Sequence, residues 1–215
     1  VTLVQARTLD ALALRRVQEI YEDGFAERLR APFEDLLRDN TLVLLDAGEP
    51  SGVAVLRELG STGWVFLRYF VAGARGRGVG TRLWSGVCRA LLAAGHTRLV
   101  YDVEDPAEHG AAEPEITVRH RRIAFYLRLG ARLLPVRDYL PPHGEDTHPM
   151  LLMAADLGVE RTPPIVGDDL RDVVLAVYEH RYGLTESDPV VRRTVDLLGG
   201  DGRCPDLVDQ GVRAR

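Results

Sequence analysis

The segment VAGARGRGVGTRLW, Val71 to Trp84, places Arg75, Arg77 and Arg82 among Gly76, Gly78 and Gly80, where an apolar run gives way to a helical pattern. This is chemistry for holding an anion. A strand that runs straight into a helix leaves backbone N–H groups open at the positive end of the helix dipole. Glycines let a ligand approach the backbone closely, and the guanidinium groups of Arg75 and Arg77 add charge-assisted contacts to phosphate. Each helix-end contact supplies only about 0.3–1 kcal/mol, so such a site depends on convergence. The charge distribution agrees: no Asp or Glu occurs from Leu59 to Tyr101, while Arg68, Arg75, Arg77, Arg82, Arg89 and Arg98 all fall inside.

Composition narrows the classes. The 215 residues fit one compact domain with an appendage, and 46% hydrophobic against 27% charged residues reads as globular. No apolar run approaches the ~18–20 residues that span a bilayer, and no secretory signal pattern is present, so a cytoplasmic location without membrane attachment is expected. All 27 basic residues are Arg, which excludes lysine Schiff-base and P-loop chemistry. Cys88 and Cys204 have no CxxC or Cys/His ligand spacing and read as reduced thiols, Cys88 in a packing role. The six histidines form no metal spacing, and no metal is expected. The net charge of −5 argues against nucleic-acid binding by the surface at large.

The elements that position the anion site follow from periodicity. TLVQAR (Thr2–Arg7) reads as a strand, and Leu12, Val17, Ile20 and Tyr21 recur at helical spacing after it. A short helix is expected over Pro32–Asp39. TLVLLDA and GVAVLREL read as a hairpin around GEPS, and GWVFLRYFVA as a long strand. Gly80–Ala94 is an amphipathic helix that Gly95 stops. RLVYDVED is a strand ending in acid, Pro106–Glu115 a long loop, and TVRHRRIAFYLRLG a helix closed by Gly130. ARLLPVRDYL and HPMLLMAADL supply two further strands. The order is therefore βααβββαβαββ over residues 1–157. Residues 158–215 form a C-terminal helical extension, with a linker GVERTPPIVG and helices in DDLRDVVLAVYEHRY and SDPVVRRTVDLL, that packs on the core or forms a lid or dimer contact.

Several anion motifs compete. A glycine-rich turn with solvated arginines is the plainest. A dinucleotide fingerprint would need glycine at Thr81 and repeated βαβ units, and GxxxxGK[ST] is missing. What remains is R-x-x-G-x-G, here Arg75, Gly78 and Gly80, after a long strand and at a helix N-terminus. With this motif and order of elements the chain resembles the GNAT superfamily of acyl-CoA-dependent N-acyltransferases over about Val1 to Leu157. The resemblance implies an α/β (α+β) fold, a mixed and largely antiparallel sheet flanked by helices. It implies that Arg75, Gly76, Arg77, Gly78, Val79, Gly80 and Thr81 cradle the CoA pyrophosphate. It also implies that one backbone N–H among Phe70, Val71 and Ala72 reaches the thioester carbonyl, where a donor stabilises the tetrahedral oxyanion.

AFYLRLGA, Ala124 to Ala131, is similar to the late helix of that family, and by this match Tyr126 protonates the departing thiolate. A phenol with reference pKa near ~10 can donate that proton and be regenerated; a half-buried core tyrosine is the alternative. Where the family often has Asn, this chain has Arg119 or a near neighbour. Arg119, Arg121 and Arg122 either reach the CoA ribose phosphate or form a solvated helix face. The acceptor amine must lose a proton, and a carboxylate can take it. Alternation along LVYDVED puts Asp102 and Glu104 on one face at the strand end, with Glu104 the first candidate and Asp102 the second. A strand-end acid that pairs with an arginine is the structural alternative.

The expected activity is transfer of an acetyl or other short acyl group from acyl-CoA to a primary amine of a small molecule, by direct attack in a ternary complex. No triad context surrounds Cys88 or any Ser, so no acyl-enzyme is expected. Two rivals remain open: a donor such as a longer acyl-CoA or an aminoacyl-tRNA, and a CoA-binding sensor without catalysis. A homodimer is compatible with either.

Overall fold

The computed structural model describes residues 1–74, 76–143, 146–158 and 164–198. Its strands are β1 (Thr2–Gln5), β2 (Asn40–Asp46), β3 (Glu49–Glu58), β4 (Trp64–Ala72), β5 (Arg98–Glu104), β6 (Arg132–Leu133), β7 (Pro142–His143), β8 (Asp146–Thr147) and β9 (Met150–Asp156). Its α-helices are α1 (Ala11–Gly24), α2 (Phe33–Arg38), α3 (Val79–Ala93), α4 (Glu113–Arg128), α5 (Gly167–Tyr182) and α6 (Pro189–Asp196). The fold is mixed α/β with a largely antiparallel sheet and flanking helices. The chain divides into two compact units, one of residues 1–57 and 65–97, the other of residues 58–64 and 98–215.

In the first unit the strand order is β1-β2-β3-β4. Asp10 caps α1 by accepting from the N–H groups of Leu12 and Ala13 at 3.0 and 2.8 Å, the contact that its short carboxylate makes at a helix start. The helical spacing of Val17, Ile20 and Tyr21 then buries one face against Val43, Val53, Val55 and Tyr69. The hairpin between β2 and β3 turns at Ala47 and Gly48, whose φ angles are 52° and 92°. Two successive left-handed residues match the twist of the strands they join. Strand β3 consequently starts at Glu49, earlier than the GEPS turn suggests, and a register shift between Leu44 and Leu45 accommodates Pro50.

In the second unit β9 lies between β5 and β6, antiparallel to both. The expected long strand ARLLPVRDYL is reduced to Arg132 and Leu133. Leu134 still donates to the carbonyl of Leu152 at 2.8 Å, but Pro135 has no N–H to continue a ladder, and the chain leaves the sheet there. Helix α4 begins at Glu113, four residues before the periodicity of TVRHRR suggested, with Pro114 in its first turn where a missing N–H costs nothing. Gly130, at φ 88°, ends it. Helix α5 buries Leu170, Val173, Val174, Ala176, Val177 and Tyr178. Tyr178 stacks edge-on against Tyr139 at 5.3 Å and shares a buried 2.9 Å hydrogen bond with Thr194 of α6. Thr194 also donates to the carbonyl of Asp138 at 2.8 Å. Val191 and Thr194 of α6 are buried with that face of α5. Cys204 lies outside the described residues.

Candidate functional site

The glycine and arginine turn is built around Gly78. It is the N-cap of α3 with φ 68°, a conformation that a side chain resists, and no side chain caps the helix. The first intrahelical bond runs from Arg82 N–H to the Gly78 carbonyl at 3.1 Å, so the N–H groups of Val79, Gly80 and Thr81 precede the helical ladder. A Cβ built on Gly76 (φ 79°) has nothing within 4 Å, which leaves open the approach that an anion needs. Arg77 is exposed, and its carbonyl accepts a 2.8 Å bond from Arg82 Nη1, while Arg82 Nη2 lies 3.3 Å from Asp46. Arg82 therefore braces the turn. These features fit a phosphate group. Arg75 lies outside the described residues.

The end of β4 narrows the backbone donor. Gly73 N–H bonds the carbonyl of Ser51 on β3 at 2.8 Å. With a strand period of two, Val71 N–H faces β3 as well, and the N–H groups of Phe70 and Ala72 turn away from it. Close packing holds this end: a Cβ on Gly52 would sit 3.0 Å from the Val71 carbonyl oxygen, and one on Gly24 would sit 2.5 Å from Val71 Cγ2.

In the second unit, Tyr126 of α4 is 5% exposed, its ring 4.5 Å from that of Tyr101 on β5. Burial pushes its phenol pKa upward, against a smaller downward pull from Arg122, so the group is protonated at neutral pH. Glu104, at the end of β5, receives Arg122 Nη1 at 2.6 Å and faces Arg119 Nη2 at 3.6 Å. Asp102 accepts from the hydroxyls of Tyr139, at 3.2 Å, and of Tyr182 on α5 through the same oxygen.

Arg119 is neither on a solvated face nor open to a ligand. It is 4% exposed and donates to the Asp105 carbonyl at 2.7 Å and to Glu108 Oε2 at 2.6 Å, with Glu115 at 4.0 Å. Glu108 Oε1 in turn meets His148 Nδ1 at 3.1 Å. Burial pushes the Glu108 carboxyl upward, but the bonds from His148 and Arg119 prevail and hold it below the usual carboxylate range. Sequence reading missed Glu108 and His148. The helical spacing of Arg119 and Arg122 was the available sign that an acidic partner faced α4; no local pattern ties His148 to Glu108, 40 residues away. Cys88 has its thiol pKa pushed up to about 11 by burial, which suits packing and not nucleophilic attack. Among the described residues no cluster of His, Cys, Asp and Glu could hold a metal ion, and no helix is long and apolar enough to cross a membrane.

The profile of the acetyltransferase (GNAT) family matches residues 11–131. Among solved structures, a protein from Bacteroides thetaiotaomicron assigned to the GNAT family as an acetyltransferase aligns with TM-score 0.64 at 21% identity, over 86% of this chain and 100% of its own. An aminoglycoside 6'-N-acetyltransferase complexed with coenzyme A aligns with TM-score 0.56 at 16% identity, over 75% and 100%. The ribosomal-protein-S18-alanine N-acetyltransferase of Escherichia coli gives 0.53 at 16% identity, over 74% and 96%. At these identities the likeness carries the fold alone. No curated protein matches the sequence.

Proposed function

The chain belongs to the acetyltransferase (GNAT) family, and on that premise we propose that it moves an acetyl or other short acyl group from acyl-CoA to the primary amine of a small molecule by direct attack. The observation that carries this reading is the uncapped start of α3, where left-handed Gly78 precedes the open N–H groups of Val79, Gly80 and Thr81. In this reading those groups, with Arg77 and Arg75, hold the pyrophosphate of the donor. The N–H of Phe70 or Ala72 donates to the thioester oxygen as it gains charge, in place of water. Tyr126, kept protonated by burial, gives its proton to the leaving sulfur. The proton of the amine leaves toward the acidic end of β5, the region of Glu104 and Asp102.

The test is calorimetric titration with acetyl-CoA, with NADH as control and Arg77→Ala as comparison. Binding of acetyl-CoA that the variant weakens, with none for NADH, supports the reading; no binding of acetyl-CoA overturns it. Thiol release from acetyl-CoA is then followed with simple primary amines, an aminoglycoside and an alanine-terminated peptide. Turnover with the peptide alone would replace the small-molecule acceptor by a protein N-terminus.

A further inference from the structure

Strand β4 runs from Trp64 to Ala72, and the glycine turn follows it. A donor held at that turn therefore lies back along β4, with its thioester at the N–H of Phe70 or Ala72. Because the donor's own arm fills the side toward the turn, the attacking amine comes from the other side, toward the start of the strand. Arg68 stands there, two residues or about 7 Å of strand before Phe70.

The Arg68 side chain is 7% exposed, and its guanidinium carbon lies 5.4 Å from the centre of the Tyr69 ring. Nη1 donates to Asp39 Oδ2 at 2.8 Å. Asp39 is already gripped side-on by Arg57, whose Nε and Nη2 reach Oδ1 and Oδ2 at 2.9 and 3.1 Å. The same edge of Arg68 is unused: among the described residues Nε is enclosed without an acceptor, and no hydrogen bond engages Nη2. That edge is the one that holds a carboxylate by two parallel bonds. An enclosed N–H without an acceptor costs free energy that a bound anion restores.

A second guanidinium repeats the pattern beside Tyr69. The Tyr69 hydroxyl donates to the Leu29 carbonyl and accepts from Ala31 N–H, each at 3.1 Å, and the Tyr21 hydroxyl bonds the N–H and the carbonyl of Ala31. Arg30 is thus pinned between two anchored residues. Its Nε is also enclosed without an acceptor, and among the described residues no carboxylate pairs with it.

We propose that the acceptor is a small amine that also carries a carboxylate, and that Arg68 selects it through a side-on pair with that carboxylate while Arg30 adds positive charge. The inference rests on the acyl transfer proposed above and names its acceptor class. Every group it uses lies in the first unit. Arg68 is a specificity-determining residue here: the bonds made and broken are those of the transfer itself, and the carboxylate passes into the product unchanged. The same excess of positive charge disfavours a polycationic acceptor such as an aminoglycoside.

The test follows thiol release from acetyl-CoA with acceptors matched except for the carboxylate: glycine against methylamine, β-alanine against ethylamine, and leucine against isopentylamine. The parent protein is expected to favour the carboxylated member of at least one pair about tenfold to a hundredfold in kcat/KM, the size of charge-assisted hydrogen bonds. Arg68→Lys keeps the charge and a bond to Asp39 but lacks the planar fork. It is expected to remove that preference through a higher KM for the carboxylated acceptor, with acetyl-CoA affinity and Tm retained. Arg30→Ala, which does not touch Asp39, is expected to reduce the preference severalfold and serves where Arg68→Lys folds poorly. A parent protein that favours no carboxylated acceptor, or turns over an aminoglycoside faster than all of them, overturns the inference. So does a folded Arg68→Lys that keeps the parental preference. A parent protein that does not bind acetyl-CoA overturns instead the function on which it rests.

Discussion

The turn at the start of α3 and the charged end of β5 are both rich in arginine and use it in opposite ways. In the turn, Arg77 is exposed, the backbone beside it offers N–H groups that no side chain caps, and Asp46 meets Arg82. At the end of β5, Arg119 is 4% exposed and faces three carboxylates and a carbonyl. An uncompensated cation beside open amides attracts a ligand; a buried and compensated one fixes the chain. The count of arginines in a segment therefore says little until the partners are known.

The largest effect that would sharpen this contrast is on stability. Arg119→Ala removes the buried guanidinium from Glu108 and from the Asp105 carbonyl, leaving Glu104 with Arg122 and Glu108 with His148, and a lost hydrogen bond to a charged group typically costs about 1.5–3 kcal/mol. Denaturant unfolding should show a loss of that size, and a loss under about 1 kcal/mol would place Arg119 in the same class as Arg77. Next comes Tyr126→Phe, which keeps the packing against Tyr101 and removes the proton: kcat should fall about 10²-fold or more with acetyl-CoA affinity retained. Steady-state kinetics with unchanged kcat would return Tyr126 to the core. Arg77→Ala should weaken acetyl-CoA binding about tenfold to a hundredfold, the size of a charge-assisted hydrogen bond, with Tm unchanged. If Tm fell and affinity held, the turn would be structural.

The smallest effect is in pH. The Glu108 carboxyl is held below its unfolded value, so its contribution to stability is complete above about pH 4.3 and is lost as pH falls through the lower folded value. Thermal melts between pH 3 and 7 should therefore show an acid loss in the parent protein that is reduced in Glu108→Gln. Equal slopes in the two proteins would mean that the bonds of Glu108 to His148 and Arg119 do not contribute.

Much of the fold was legible. The apolar runs of β2 and β4, the alternation in β5, the helical spacing of Val17, Ile20 and Tyr21, and the stops at Gly95 and Gly130 are local patterns that survive folding unchanged. ARLLPVRDYL was not, because its apolar residues serve the core without pairing: Leu134 and Tyr139 are 2% exposed, yet Pro135 ends the ladder after two residues. The site divides the same way. Gly76 and Gly78 announce a backbone conformation, which a residue carries with it. Arg119 and Arg122 announce only a charge, whose meaning depends on what folds against it.

The sequence by itself determined the order of elements, the family and the glycine-rich turn before α3, since each rests on periodicity or on backbone freedom within a few residues. The tertiary structure alone decided that Asp102 meets tyrosines from the stretch after β6 and from α5, that Glu104 is bound by guanidinium groups, and that His148 meets Glu108. Electrostatic pairing acts through space, with no trace in the spacing of residues along the chain.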